Sequence, residues 1–433
     1  MAQALPATLE QARRAPEALA IGHGDQALTY DRLAEDARVL AAGWDGQTGP
    51  VAIGGRGPEL LTALLAAAIC GRPACLPQAD FSPAERERAL AAGLRAPDDA
   101  FLVGFTSGTS GAPKPFVRGW ESWETSFAPA AELHRIDART AVVLPGALQH
   151  THFLFGAVLA LELGASVRTF PRFDASALLA ALGAAERSSV FVVPTMLSAI
   201  EPRLDGYGPL AGVRSVVVSG SAYDARHRAI ARRAFPNARI VQIFGASELS
   251  FVTITVDDPG GPEPGSDVGA PFPGVEIELR EGEIWVRSRY LADGYVSESG
   301  EPVPIADSRG FATVGDLGTV DASGHLTLVG RASNMVITGG KNVHPEEVEA
   351  VLRDHPAVAD CVVVGVPDDY WGERLVALLE PAAEVADDEL VATVKQRLAS
   401  HKAPKEWHRT ERLPRTESGK VARATARAMV TGG

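Results

Sequence analysis

Between residues 140 and 245, short apolar runs rich in β-branched residues alternate with segments of helical periodicity. The strand-like runs are AVVLP, SVRTF, VFVVP, VRSVVVSG and RIVQIFG, and the intervening helices are predicted at about 152–163, in ALLAALGAA and at about 224–235. This alternation is typical of a parallel sheet whose crossover connections are helices. Because such sheets bind ligands at the carboxyl ends of their strands, we expect a site near residues 219–220 and 244–245.

The regions on either side predict the rest of the fold. Residues 8–120 contain helices and short strands, including a strand followed by a helix in ALTYDRLAEDARVLAAGW and a buried helix in LLTALLAAAIC. From 265 to 329, short strands separated by turn residues predict a small β-subdomain. A last unit begins near Gly330. The expected fold class is α/β, with a large N-terminal domain of mainly parallel sheets (1–330) and a small α+β C-terminal domain (331–433).

Composition and charge exclude several classes of partner. The chain has 433 residues, of which 46% are hydrophobic and 22% charged, as in a soluble globular protein. Its net charge of −13 disfavours nucleic acid and anionic membranes as partners. The three cysteines have no metal-ligand spacing and fit a reducing, cytoplasmic setting. The N-terminal stretch is too charged for a signal peptide, and LLTALLAAAIC is too short to span a bilayer.

The stretch TSGTSGAPK, residues 106–114, follows the predicted strand FLVGF. Its hydroxyls and the backbone amides of its small residues can surround one anion. The spacing is not that of a Walker A loop, and Pro113 prevents the uninterrupted helix that would follow such a loop. Taken alone, the stretch is either a phosphate-binding loop or a solvated Ser/Gly turn.

This loop resembles the phosphate-binding signature of the adenylate-forming superfamily, which includes acyl- and aryl-CoA synthetases, luciferases and nonribosomal peptide adenylation domains. Further motifs of that family follow in the family's order: FGASE (244–248), VGDLG with Asp316, GRASNMVITGGKNVHPEEVE and PRTESGK, which ends in Lys420. The resemblance extends from about residue 28 to 425, although the region before the loop is shorter than is usual in the family. It is closest to AMP-forming acyl- or aryl-CoA ligases.

The resemblance implies a nucleotide site in which ATP and Mg²⁺ bind. The residues expected around the β- and γ-phosphates are Thr106, Ser107, Gly108, Thr109, Ser110, Gly111 and Lys114. Glu248 would hold Mg²⁺ with the Thr109 hydroxyl nearby, because this ion prefers oxygen ligands. Gly220, Ser221 and Ala222 are expected to border the adenine, with Tyr223 or Phe244 stacking on the base, and Gly245, Ala246 and Ser247 of FGASE are also expected in the nucleotide site. Asp316 would bind both ribose hydroxyls, and Arg331 would reach the ribose or the α-phosphate.

The resemblance also implies the catalytic groups. Lys420 would bridge the substrate carboxylate and the α-phosphate, where negative charge develops. His150 or His152 would border the acyl pocket. Each of these residues has an ordinary alternative when it is taken alone: a surface lysine, a turn aspartate, a helix-terminal glutamate or a packed histidine. The run FDAS, residues 173–176, looks like an amino-acid-binding element but lies too late in the chain, so we interpret Asp174 as a helix cap.

Two half-reactions follow from the resemblance. The acid attacks the α-phosphorus of ATP, pyrophosphate leaves, and an acyl-adenylate remains. The mobile C-terminal domain then rotates about a hinge near residue 333, where Ser333 stands in place of the usual Asp or Lys, and Gly339 and Gly340 border a passage for a thiol, expected to be that of CoA. The acid is expected to be hydrophobic or aromatic. The alternatives are a stand-alone adenylating enzyme that serves a carrier protein or another nucleophile, and a non-catalytic nucleotide sensor, which the presence of Lys420, Glu248 and Asp316 opposes.

Overall fold

The computed structural model describes residues 4–107, 113–221, 223–265, 267–338, 341–368, 370–416 and 419–431. The chain divides into two compact units. The N-terminal unit comprises Met1–Glu278 and Trp285–Val314, and the C-terminal unit comprises Leu279–Ile284 and Gly315–Gly433. The sequence analysis divides the chain at residue 330 into an N-terminal domain and a mobile C-terminal domain. That boundary stays a prediction.

The described residues form α-helices in both units. They are α1 (Pro6–Arg14), α2 (Tyr30–Ala42), α3 (Pro58–Cys70), α4 (Pro83–Gly93), α5 (Glu121–Leu133), α6 (Thr151–Glu162), α7 (Ala175–Ala184), α8 (Pro194–Ile200), α9 (Ala225–Ala234), α10 (Pro345–Arg353), α11 (Asp387–Arg397) and α12 (Arg423–Thr431). Within the described ranges, no helix combines the length and the apolar character needed to cross a membrane.

The strands of the N-terminal half are β1 (Leu19–His23), β2 (Gln26–Thr29), β3 (Val51–Ala52), β4 (Ala74–Cys75), β5 (Leu102–Ser107), β6 (Pro113–Arg118), β7 (Ala141–Leu144), β8 (Ser166–Thr169), β9 (Ser188–Val192), β10 (Val213–Val218), β11 (Arg239–Ala246) and β12 (Ser250–Asp257). The later strands are β13 (Ala270–Pro271), β14 (Glu276–Arg280), β15 (Glu283–Arg287), β16 (Gly294–Val296), β17 (Pro302–Pro304), β18 (Asp316–Val320), β19 (Leu326–Arg331), β20 (Val336–Thr338), β21 (Lys341–Val343), β22 (Val358–Asp368), β23 (Gly372–Pro381) and β24 (Glu406–Arg409).

The largest sheet has nine strands in the order β13-β12-β11-β10-β9-β7-β8-β1-β2. The strands from β11 to β1 in that order run parallel, and helices α6 to α9 lie between them in the chain. The predicted parallel α/β sheet is therefore confirmed. Strand β12 was not predicted from the sequence; it returns antiparallel beside β11 and carries the sheet beyond the alternating segment.

The second sheet has six strands in the order β17-β16-β6-β5-β4-β3. Strands β5 and β6 pair antiparallel, and residues 108–112, which connect them, lie outside the described residues. Phe116 of β6 is fully buried, and its ring occupies the space that a side chain on Gly104 of β5 would need. Strand β16 adds to β6 with Tyr295 opposite Phe116. This pairing brings residues near 295 to the base of the 106–114 stretch.

The C-terminal unit is built on the strands β21-β20-β23-β22, with β24 beside β23. In β22, Cys361 and Val363 pack on one side with α10 and α11, whereas Val362 and Val364 pack on the other side with α12. Because alternate side chains of a strand point to opposite faces, the uninterrupted apolar run CVVVGV is that of a strand covered on both faces. No element was predicted for the basic segment that contains residues 423–431. In the structure this segment forms α12, which covers the second face of β22.

The small β-subdomain predicted for 265–329 contains the short strands β13 to β19. Four of these form a sheet in the order β14-β15-β18-β19. Within the C-terminal unit, β18 and β19 pair antiparallel, and Glu283 of β15 lies opposite Leu317 of β18.

Candidate active site

The FGASE segment ends strand β11 and turns into β12. A Cβ atom on Gly245 would lie 1.9 Å from the carbonyl oxygen of Ser250, so only glycine fits at this position. The tight turn leaves Glu248 at the carboxyl end of β11 with only 7% of its surface exposed. A carboxylate this buried needs polar partners.

One of those partners is Tyr295 of β16, which no sequence argument had selected. Its hydroxyl donates a hydrogen bond to Oε1 of Glu248 over 2.8 Å. The Nζ atom of Lys114 lies 3.4 Å from the centroid of the same tyrosine ring. Burial beside the Glu248 carboxylate holds the pKa of Tyr295 well above its usual value, so the hydroxyl keeps its proton. The structure thus joins Lys114, at the end of the Ser/Thr/Gly stretch, to the carboxylate of FGASE.

A buried arginine holds the other side of this turn. Arg118 of β6 is fully buried and donates to the carbonyl oxygens of Ser247 (2.8 Å) and Tyr290 (2.7 Å) and to the Ser122 hydroxyl (2.9 Å). Burial lowers the pKa of Arg118 to about 10, so the guanidinium stays charged at neutral pH. Arg118 therefore fixes the backbone immediately before Glu248. Arg118 and Ser247 are far apart in the sequence, so this role could not be predicted from the sequence.

The start of α6 also contacts FGASE. The Thr151 and Ser247 hydroxyls lie 2.9 Å apart. His150 directly precedes α6, which follows the carboxyl end of β7. The ring of His152 instead lies 5.0 Å from that of Phe153 and 5.3 Å from that of the buried Phe191. His150 thus lies at the N-cap position of α6, whereas the ring of His152 packs against two aromatic rings.

The remaining residues predicted in the N-terminal unit are partly described. Thr106 lies opposite Lys114 in the β5–β6 pair, and Ser107 ends β5. Gly220 follows β10 with φ +97°, a backbone conformation that favours glycine, and Ser221 after it is exposed. Phe244 is half-buried in β11. The predicted residues that lie outside the described ranges are Gly108, Thr109, Ser110, Gly111 and Ala222.

In the C-terminal unit, Asp316 and Arg331 lie opposite each other on β18 and β19. Nε of Arg331 donates to Oδ1 of Asp316 over 2.7 Å. Antiparallel pairing explains how two residues from separate motifs meet. Ser333 lies in the short 3₁₀ turn Ala332–Asn334 that follows, and Gly339 and Gly340 lie outside the described residues.

Lys420 is exposed and lies at the end of a closed turn. The amide of Thr416 donates to the Lys420 carbonyl and the amide of Gly419 to the Thr416 carbonyl, both over 2.8 Å, and Gly419 has φ +80°. Arg415, at the base of the turn, forms an ion pair with Asp360 of β22. Burial alone would raise the pKa of Asp360, but the charges of Arg353 and Arg415 lower it. The backbone that carries Lys420 is therefore anchored to the sheet of its own unit.

The donor set fits Mg²⁺. In the described residues, Tyr295 alone among the side chains hydrogen-bonds the Glu248 carboxylate, at Oε1, so Oε2 can accept a cation. No group of three or more His, Cys, Asp or Glu that could hold a metal occurs in the same ranges. An ion at Glu248 would therefore take most of its ligands from substrate oxygens and water, as Mg²⁺ does with nucleotides.

Asp174 takes the structural role predicted for it. Its side chain accepts a hydrogen bond from the amide of Ala177 over 2.8 Å and caps α7. The interpretation of FDAS as a helix start is therefore confirmed.

Comparisons with known proteins identify the family of the chain. Residues 78–296 match the model of the AMP-binding enzyme family, and residues 347–420 match that of the AMP-binding enzyme C-terminal domain. An uncharacterized acyl-CoA ligase, YhfT, of Bacillus subtilis (strain 168) is 38% identical over 76% of this chain and 68% of its own length. A feruloyl-CoA synthase of an Amycolatopsis species is 30% identical over 97% of both chains.

A solved structure shares the fold. The o-succinylbenzoate CoA synthetase (MenE) from Bacillus subtilis, in complex with an acyl-adenylate intermediate, has a TM-score of 0.83 at 24% identity and covers 97% of each chain. With the family match and the full-length relative, the chain belongs to the AMP-binding enzyme family and is an adenylate-forming, AMP-forming acid–thiol ligase.

Proposed function

We propose that this ligase activates a hydrophobic or aromatic carboxylic acid with MgATP and transfers the acyl group to the thiol of CoA. The observation that carries the proposal is the buried Glu248 carboxylate, which lies beside the base of the β5–β6 hairpin through Tyr295 and Lys114. The residues 106–111 between these strands would donate backbone amides and hydroxyls to the β- and γ-phosphates. Lys114 would add a positive charge there.

Glu248 is proposed to hold Mg²⁺ through Oε2, with the Thr109 hydroxyl as a second ligand. Bound Mg²⁺ would neutralise negative charge on the phosphates. Gly220, Ser221 and Ala222 would border the adenine, with Phe244 or Tyr223 stacking on it. Burial raises the pKa of the Tyr223 phenol, so that side chain would act as a neutral ring.

In the C-terminal unit, Asp316 is proposed to accept hydrogen bonds from the ribose hydroxyls, while Arg331 keeps its carboxylate oriented. Lys420 would hold the acid's carboxylate and the α-phosphate in line and stabilise the charge that develops as oxygen attacks phosphorus. Its closed, anchored turn supports this role, because a fixed backbone limits the positions that the ammonium can reach. The chain needs no covalent intermediate for this step.

Two observations support an acid without an amino group. The Asp174 carboxylate, which resembled an amino-group ligand, is engaged in capping α7. The helix that begins beside FGASE is apolar, with Phe153, Leu154 and Phe155 buried. His150, at the start of this helix, is proposed to border the acyl pocket.

The proposal of CoA as the acceptor is supported by an exposed patch at one end of the C-terminal sheet. Tyr370 is 83% exposed and Trp371 is 39% exposed, and their rings contact each other edge to face at 4.8 Å. Lys405 Nζ lies 5.4 Å from the Trp371 ring. Gly372, the next residue, pairs with Thr338, so the patch lies beside the strand that ends immediately before Gly339 and Gly340 in the sequence. Exposed rings suit an adenine, and the ammonium of Lys405 suits a phosphate of CoA.

The first half-reaction is tested by ATP–pyrophosphate exchange with fatty, aromatic and amino acids. We expect exchange with at least one hydrophobic or aromatic acid and none with amino acids. Exchange only with amino acids would contradict the acid class, and the absence of MgATP binding by calorimetry would contradict the nucleotide site.

The acceptor is tested with the acid that gives exchange. CoA is added, and the thioester is sought by mass spectrometry, in parallel with a phosphopantetheinylated carrier protein. We expect acyl-CoA to form at low CoA concentration. Acylation of the carrier protein without acyl-CoA would establish the alternative acceptor.

A further inference from the structure

Tyr295 lies between the positive and the negative side chain of the proposed nucleotide site. We propose that Tyr295 is a positioning residue that keeps Lys114 and Glu248 apart and oriented, so that the ammonium remains free for phosphate and the carboxylate for the metal. The inference rests on the proposed MgATP site and assigns a function to a residue outside the motifs that identified it.

Strand register places these groups on one face of the second sheet. Tyr295 lies opposite Phe116, Lys114 is two residues before Phe116 on β6, and Thr106 lies opposite Lys114 on β5. Alternate residues of a strand share a face, and directly opposed residues share it as well. Thr106, Lys114 and Tyr295 therefore form a row that leads from the 106–114 stretch to Glu248.

The two charges contact different parts of the tyrosine. Lys114 Nζ lies over the ring, 3.4 Å from its centroid, where the electron-rich face attracts a cation. Glu248 Oε1 accepts from the hydroxyl at the ring's edge over 2.8 Å. No ion pair within 4.0 Å joins Lys114 to Glu248 in the described part of the chain. Without the ring between them, an ammonium and a carboxylate so placed would pair and neutralise each other.

The Glu248 backbone is held independently of Tyr295. The carbonyl of Glu248 accepts from the amide of Ala292 over 2.7 Å, and Arg118 holds the preceding carbonyl. Loss of the tyrosine hydroxyl would therefore change the orientation of the Glu248 side chain without releasing the turn. This makes a substitution at Tyr295 informative about positioning rather than folding.

The experiment uses Tyr295→Phe, which removes the hydroxyl and keeps the ring, and Tyr295→Leu, which removes both. Tyr290→Phe is the matched control, because Tyr290 is another tyrosine of this unit and its hydroxyl likewise donates one hydrogen bond, to the Pro273 carbonyl over 2.7 Å. ATP binding to each full-length variant is measured by calorimetry with and without Mg²⁺, which requires no knowledge of the acid. Lys114→Met is added alone and in combination with Tyr295→Leu.

We expect Tyr295→Phe to weaken binding of MgATP by about tenfold and to leave binding of metal-free ATP unchanged, because one hydrogen bond to a charged group is lost. Tyr295→Leu should weaken both, because Lys114 then pairs with Glu248. Adding Lys114→Met to Tyr295→Leu should restore part of the Mg²⁺ dependence, although Lys114→Met alone weakens binding. Tyr290→Phe should bind as the wild type does.

Equal MgATP affinity in the wild type and Tyr295→Phe would overturn the inference, as would an equal loss in Tyr295→Phe and Tyr290→Phe. Failure of Lys114→Met to restore Mg²⁺ dependence in the leucine background would refute the separation of charges. If the wild type itself binds no MgATP, it is the proposed function that fails. The two failures are therefore distinguishable.

Discussion

Arg331 donates from Nε to Oδ1 of Asp316 over 2.7 Å, across the antiparallel pair β18–β19. The aspartate side chain is 11% exposed, whereas the arginine side chain is 51% exposed. The carboxylate is thus oriented by the structure before any ligand arrives. A preoriented acceptor binds hydroxyls at lower cost than one that must be ordered on binding.

From this pair we expect Asp316→Asn to raise KM for ATP by about tenfold or more, since an amide accepts fewer hydrogen bonds than a carboxylate and one of them is charge-assisted. The measurement is ATP–pyrophosphate exchange at saturating acid. Asp321→Asn is the control, because Asp321 accepts from Ser323 and His325 in the turn between the same strands. An equal rise in KM in both variants would contradict the ribose role.

Lys420→Ala should lower the rate of adenylation by about a hundredfold or more, because a charge that stabilises the transition state is lost. Thiol transfer from a supplied acyl-adenylate should persist, since the lysine acts only in the first half-reaction. The control is Lys395→Ala, an exposed lysine of α11 in the same unit. An equal loss of both half-reactions would contradict a mechanism in which the C-terminal domain takes a different position for each half-reaction.

Trp371→Ala should raise KM for CoA by about tenfold through the loss of one stacking surface, and leave pyrophosphate exchange unchanged. Thioester formation at varied CoA concentration gives the result. Met429→Ala, which removes another exposed apolar side chain from the C-terminal unit, should leave both steps unaffected. A fall in exchange in Trp371→Ala would show that the residue acts elsewhere.

His134, at the end of α5, predicts a pH dependence of stability. The residue is fully buried, and neither ring nitrogen has a hydrogen-bond partner among the described residues. Burial, with a smaller contribution from His152, lowers the pKa of His134 to about 3 from an ordinary value of 6.5. The unfolded chain therefore binds a proton below pH 6.5 that the folded chain does not.

The free energy of unfolding should accordingly fall as the pH drops from 6.5 towards 3, by at most about 1.4 kcal/mol per pH unit from this residue. His134→Leu should flatten this dependence, and at pH 7 it should cost little, because an apolar side chain replaces unsatisfied polar atoms. Urea unfolding at pH 7, 6 and 5 tests both expectations. An unchanged slope in the variant would mean that another group titrates.

The helices and parallel strands were predictable where periodicity is local. The helix predicted at about 152–163 is α6, Thr151–Glu162, and the cap at Asp174 follows from a local side-chain hydrogen bond. Strand β12 was missed because its pairing with β11 depends on the turn at Ser250, which has φ +58° and which periodicity does not reveal. Helix α12 was not predicted because the composition of this part of the chain is typical of a basic tail.

The family was predictable from the order of its motifs, but the contacts that orient the motif residues were not. Tyr295 is 47 residues from Glu248 in sequence, and Arg118 is 129 residues from Ser247. Such contacts are created by strand pairing, so only the fold brings their members together. Lys114 is an example. From the sequence it could also be a solvated surface lysine, whereas in the structure its ammonium lies over the Tyr295 ring.

The backbone contact at Gly245 has a practical consequence for altering the substrate range. A mutagenesis library along β11 would sample Phe244 and Ala246 usefully, but any side chain at position 245 would collide with the backbone of Ser250. Because a backbone atom cannot rotate away as a side chain can, we expect variants at 245 to be lost from such a library. Substitutions are better directed to Phe244 and Ala246, which already carry side chains at this end of β11.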